Sequence, residues 1–201
     1  MSIEELILTF SYFAILLLMT LNGFIAFPSS QLIYILAGYF AFTNDLNFIA
    51  IVLIGALGHS LGNYILYEIS RRKGVEYSLK FFKYIFPIEH GSRVVKQIEI
   101  AFKKKGKFFL FIGKLVNPIK IFIPIPAGIS KMNRGLFLII VYITSLIWAI
   151  AFTAIGYYFG KSFQDFTIFA LIMLVLFIGV SYYFFKYINS DEIIKEAKSK
   201  E

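Results

Sequence analysis

Lys114 and Lys120 stand six residues apart in GKFFLFIGKLVNPIKIFIPIPAGISKM, residues 106–132, a run apolar enough to enter a lipid bilayer. An ammonium group at mid-bilayer costs about 2.5–3.5 kcal/mol, so something must compensate each one. The chemistry open to such a pair is electrostatic: it can hold an anion, above all a phosphate-bearing headgroup, without making or breaking a bond. The alternative for either lysine is a place near an end of the segment, with its ammonium reaching the interface. Gln31, Asn63 and Asn117 are the uncharged side chains assigned to the same headgroup, and bonding between helices is the competing role for Gln31 and Asn63. His59 lies on a small-residue face with no metal-ligating partner one turn away, so no metal is expected and a proton relay is the minor reading. There is no cysteine, no HExxH motif, no pair of carboxylates and no Ser/His arrangement expected within reach. The chain is therefore not expected to be an enzyme or to need a cofactor.

Breaks in the backbone must position these lysines. Pro118, Pro124 and Pro126 each remove an amide donor and clash with the preceding turn, and lipid cannot replace the lost bonds. A re-entrant hairpin over residues 107–131 satisfies both the prolines and the lysines: two half-helices dip in, turn and return, with the broken backbone lining a cavity inside the protein. Residues 26–44 read the same way, since Pro28, Ser29, Ser30 and Gln31 precede the uncharged LIYILAGYFAF. Pro28, Gly38, Pro118, Pro124, Pro126 and Gly128 are the expected hinges.

Of the 201 residues, 59% are hydrophobic, a share that soluble domains do not reach, which indicates an integral membrane protein. Apolar stretches predict an all-α fold with about four full transmembrane helices, at 1–25, 46–70, 135–160 and 165–187. The net charge of +8 is concentrated between Arg71 and Lys107, where eleven Lys or Arg face three Glu. Such a basic region over 71–106 marks the cytoplasmic side, places both termini in the cytoplasm of a multi-pass cell-membrane protein, and points to anionic lipid rather than nucleic acid. Within it Ser92 can cap an amphipathic helix carrying Val94, Val95, Ile98, Ala101 and Phe102 at the interface; a helical hairpin packed on itself is the alternative. Glu4 and Glu5, with no small-residue cleavage site following, argue against a removed signal peptide, and the tail at 188–201 is polar. Self-association into a homo-oligomer is left open.

A shift of ninety residues aligns Pro28 with Pro118, Ile33 with Ile123, Ala37 with Ala127 and Gly38 with Gly128. Leu46 then meets Leu136, Ile49 meets Ile139, Tyr67 meets Tyr157 and Arg71 meets Lys161. With the charge pattern this predicts an inverted repeat with two opposed re-entrant hairpins, an arrangement that in transporters puts the substrate site at the midplane.

The order Lys114, Lys120, Pro124, Ala127, Gly128, Met132, Phe137, Trp148, Gly156, Tyr157, Gly160 resembles the DedA family, also called SNARE-associated or VTT-domain proteins. Gly62-Asn63 with Tyr67 and Arg71, and the stretch from Pro28 to Gly38, resemble its upstream motifs. Lysines stand where the family has arginines, Gln31 where it has Glu, Asn63 where it has Asp, and Asn117 in place of a proline. The resemblance implies a transporter or scramblase of lipids, including lipid-linked isoprenoid phosphates, with proton coupling through acidic residues in some members. The expectation is thus a flippase or scramblase whose Lys114 and Lys120 neutralise a phosphate-bearing headgroup; the alternative is an ion-coupled transporter of a small anionic or zwitterionic solute.

Overall fold

Among the described residues the chain forms α1 (Ile3–Ile25), α2 (Ser30–Phe42), α3 (Phe48–Ile85), α4 (Gly91–Leu115), α5 (Pro124–Ile129) and α6 (Arg134–Lys161), with a 3-10 turn at Ile119–Ile121. The structure, a computed structural model, describes residues 3–25, 29–85, 91–116, 119–161 and, beyond these, Val175, Ile178, Gly179, Tyr182, Tyr183 and Lys186. Pro28, Asn117, Pro118, most of the expected span at 165–187 and the tail at 188–201 lie outside the described residues.

Among the described residues two helices are long and apolar enough to cross a membrane: Phe48–Gly74, of 27 residues, and Arg134–Phe159, of 26. At about 1.5 Å per residue each exceeds a hydrocarbon core of ~30 Å. Both overlap the apolar runs at 46–70 and 135–160. By contrast α2, with 13 residues, reaches only about 20 Å.

The exposed surface of these helices is apolar, and small and polar residues stand among those they bury. Ile49, Leu53, Leu57, Leu61 and Ile65 form an exposed stripe along α3, and Ile139, Ile143, Ile147 and Ile150 do the same on α6. On the inward face of α3 stand Gly55, Ala56, Gly58, His59, Ser60, Gly62 and Asn63, all buried. Water would penalise that arrangement and lipid favours it, so the chain is a membrane protein.

The chain divides into two compact units, Met1–Asn63 with Tyr142–Leu176, and Tyr64–Val141 with Phe177–Glu201. The first is packed around Met19, Tyr34, Ala37, Ile51, Ala56 and Ala149. A Cβ on Gly62 would stand 2.0 Å from the Thr20 carbonyl oxygen, and one on Gly38 2.1 Å from that of Thr153, so only glycine lets these backbones meet. The second unit is packed around Tyr67, Phe102, Phe109, Leu110, Ile123, Ala127 and Phe137, with the Tyr67 and Phe137 rings stacked at 4.2 Å.

Much of the basic region is helical. Helix α3 continues past Arg71 to Ile85, interrupted at Gly74 (φ 75°, ψ −170°), and α4 bends at Lys105 (φ −136°, ψ 38°). Phe102, expected on an interfacial face, is buried in the core of the second unit together with Ile100.

Helices α2 and α5 stop alike. After α2 the amides of Thr43, Asn44 and Asp45 bond to the carbonyls of Tyr39, Ala41 and Phe40; after α5 those of Ser130, Lys131 and Met132 bond to Pro126, Gly128 and Ala127. Asn44 (φ 64°) and Lys131 (φ 52°) supply the left-handed residue that ends each helix. The next helix then starts on an asparagine cap: Asn47 Oδ1 accepts the Ala50 amide at 3.0 Å, and Asn133 Oδ1 accepts that of Leu136 at 3.1 Å. Thr43 and Ser130 are 87 residues apart, and Asn47 and Asn133 86, so the structural match falls about one helical turn short of the ninety-residue register.

Candidate functional site

Helix α4 carries Lys114 on its last turn and then tightens. The Val116 amide bonds to the Gly113 carbonyl at 3.3 Å, and the Lys120 amide to that of Val116 at 2.8 Å, closing the chain into the 3-10 turn. Pro124 opens α5 at its first position, where a missing amide does no harm. The prolines that forbid a continuous helix therefore start a short one, and residues 107–131 are not a straight rod. Lys114 is 2% exposed and Lys120 5%, so both side chains are inside the protein rather than reaching outward. The Lys114 ammonium donates to the Lys120 carbonyl at 3.0 Å.

The far end of this broken segment is fastened to α3. A Cβ on Gly128 would lie 2.3 Å from the Tyr67 carbonyl oxygen, so the two backbones touch. The Tyr67 hydroxyl donates to the Met132 carbonyl, and one Arg71 nitrogen donates to the same carbonyl at 2.8 Å and to the Tyr67 hydroxyl at 2.8 Å. Glu68 is held by Arg72 and by Arg134.

Gln31 and Asn63 belong to the first unit. Gln31 Oε1 accepts from the Ser29 hydroxyl at 2.9 Å and the Ser30 hydroxyl at 3.3 Å, a contact local to the start of α2. Asn63 is buried, and its Nδ2 donates to the His59 carbonyl one turn earlier at 2.6 Å. Asn117 lies outside the described residues.

The structure corrects one expectation. His59 is not isolated, and a serine does reach it: His59 Nδ1 lies 2.8 Å from Ser145 Oγ, both side chains buried. The partners are 86 residues apart on α3 and α6, which no local spacing reveals. The available sign was the run of small and hydroxyl residues on the inward face of α6, Thr144, Ser145, Ala149 and Thr153. Among the described residues no group of three or more His, Cys, Asp or Glu is placed to hold a metal ion.

Comparison with known proteins places this architecture. The VTT domain matches residues 27–158, about two thirds of the chain. The uncharacterised membrane protein YkoX of Bacillus subtilis is 30% identical over 170 residues, covering 81% of this chain and 74% of its own. Undecaprenyl phosphate transporter A of Staphylococcus aureus is 28% identical over 204 residues, covering 96% of this chain and 98% of its own. An alkaline phosphatase-like protein of Lactococcus lactis is 26% identical over 157 residues, covering 77% and 73%. No solved structure matches the chain. The extent of the VTT match, with the similarity to YkoX, means that this chain belongs to the VTT-domain family, the DedA membrane proteins.

Proposed function

We propose that the protein is a membrane lipid transporter, a flippase or scramblase that moves a phosphate-bearing lipid of the isoprenoid phosphate class between leaflets. The observation that carries this reading is the burial of Lys114 and Lys120 in a proline-broken segment of a membrane protein. An ammonium in that setting is stabilised by an anion, and it supplies a point charge for a phosphate. The substrate class is supported by the name of the Staphylococcus aureus relative, which aligns over nearly the whole of both chains.

In this reading residues 26–44 and 107–131 enter the bilayer without crossing it, supported by the short reach of α2 and by the break between α4 and α5. An inverted repeat of a broken segment followed by a long span is supported by the matching stops of α2 and α5 and the asparagine caps that follow. Gln31, Asn63 and Asn117 take the uncharged contacts to the headgroup, and Pro28, Gly38, Pro118, Pro124, Pro126 and Gly128 are the hinges. Both termini are cytoplasmic, on the strength of the basic region at 71–106.

The test is a leaflet-specific assay: purified protein in phosphatidylcholine vesicles carrying a fluorescent isoprenyl phosphate, with a membrane-impermeant quencher outside. Wild-type protein brings inner-leaflet probe within reach of the quencher, and Lys120→Ala loses this while keeping its helical circular dichroism. Wild-type rates in Lys120→Ala would remove the assigned site. Release of inorganic phosphate would point to hydrolysis, and uptake of a soluble anion without lipid transfer to solute transport; either overturns the reading. Rates with and without a pH gradient separate driven from passive movement.

A further inference from the structure

In an α-helix each carbonyl accepts the amide four residues on. For Lys120 that residue is Pro124, and for Phe122 it is Pro126; neither has an amide hydrogen. The Phe122 carbonyl is served by the nearer Ile125 amide at 3.1 Å. The Lys120 carbonyl instead takes the Lys114 ammonium at 3.0 Å, reached across the break from the last turn of α4. An unbonded carbonyl in a dry interior is disfavoured, and a lysine offers three donors on a long, flexible stem.

We propose that the two lysines divide the work. Lys114 is a positioning residue whose ammonium replaces the amide that Pro124 lacks, holding the 3-10 turn Ile119–Ile121 against the end of α4. Lys120, carried by that turn, is the residue that meets the anionic headgroup. This rests on the transport reading above and deepens it, because it names which of two similar cations the headgroup touches.

Substitution at Pro124 separates the roles. Pro124→Ala returns the missing amide, so it should rescue Lys114→Met; it has no means of rescuing Lys120→Met. With the isoprenyl phosphate probe in phosphatidylcholine vesicles, Lys120→Met is expected to raise KM about tenfold or more, the loss of one charge-assisted bond. Lys114→Met should lower the maximal rate with KM held within about twofold, and Lys114→Met with Pro124→Ala should recover most of that rate. Should Lys114→Met fail to fold, Lys114→Gln is measured: a neutral N–H suffices for a carbonyl, so KM should again stay within about twofold. A rise in KM at Lys114 equal to that at Lys120, without rescue by Pro124→Ala, overturns the division of roles while leaving lipid transport intact. Unchanged transport in both single methionine variants overturns the transport site itself.

Discussion

Arg134 grips Glu68 with two nitrogens, Nε at 2.5 Å from Oε1 and a terminal nitrogen at 3.3 Å from Oε2, joining the start of α6 to α3. Arg72, one turn after Glu68, reaches the same carboxylate at 3.1 Å. Both guanidiniums are largely exposed, so water and salt weaken what they contribute. Glu68→Gln should therefore lower the melting temperature of the detergent-solubilised protein slightly at low ionic strength, with the difference shrinking as salt is added. A large loss that salt does not alter would show that the carboxylate does something other than pair.

Close backbone approach gives a steeper dependence. A methyl on Gly38 or Gly128 would collide with a carbonyl oxygen at 2.1 or 2.3 Å, whereas nothing lies within 4 Å of one on Gly74. Gly38→Ala and Gly128→Ala are expected to lose about 1–3 kcal/mol or fail to yield folded protein. Gly74→Ala meets no neighbour but must hold a backbone (φ 75°, ψ −170°) that residues with a Cβ scarcely adopt, at about 1–3 kcal/mol. Yield of monodisperse protein and thermal unfolding rank the three.

The Met132 carbonyl is served by two side chains that also bond to each other, Tyr67 and Arg71. Tyr67→Phe should cost about 1 kcal/mol, the net worth of one hydrogen bond. Because Arg71 still reaches the carbonyl, Tyr67→Phe and Arg71→Met together should differ from the sum of the singles by about 0.5 kcal/mol or more. A double-mutant cycle on unfolding free energies measures that coupling, and strict additivity would dissolve the cluster.

Asn47 and Asn133 cap different helices and share no partner. Each asparagine-to-alanine change is expected to cost about 1 kcal/mol, and the pair should add to within about 0.5 kcal/mol. Asn47→Asp and Asn133→Asp should keep most of the stability, since a carboxylate oxygen accepts the same amide. Melting curves of the four single variants and the double alanine variant check both statements.

Much of the architecture was legible along the chain. The spans of α3 and α6 follow from unbroken apolar runs, and the breaks near Pro124 and Pro126 follow from amides that do not exist, a covalent fact independent of any neighbour. The glycines of α3 announced close packing because nothing else lets two backbones touch. The ninety-residue alignment of Ala37-Gly38 with Ala127-Gly128 can be read along the chain, whereas the stops of the two short helices match at 87 and the asparagine caps that follow at 86, a shift that side-chain identities alone do not register.

What required the folded chain was the pairing of polar groups. The sequence by itself determined that Lys114 and Lys120 sit in an interrupted apolar segment, yet it did not show which acceptor either ammonium meets. Only the tertiary structure turned the Lys114 ammonium onto the Lys120 carbonyl, set Ser145 against His59 across 86 residues, and brought Tyr67 and Arg71 to the Met132 carbonyl. The physical reason is one of range. Apolar periodicity and missing amides act within a turn or two of chain, whereas a buried donor chooses its acceptor from whatever the packing of distant helices brings within about 3 Å.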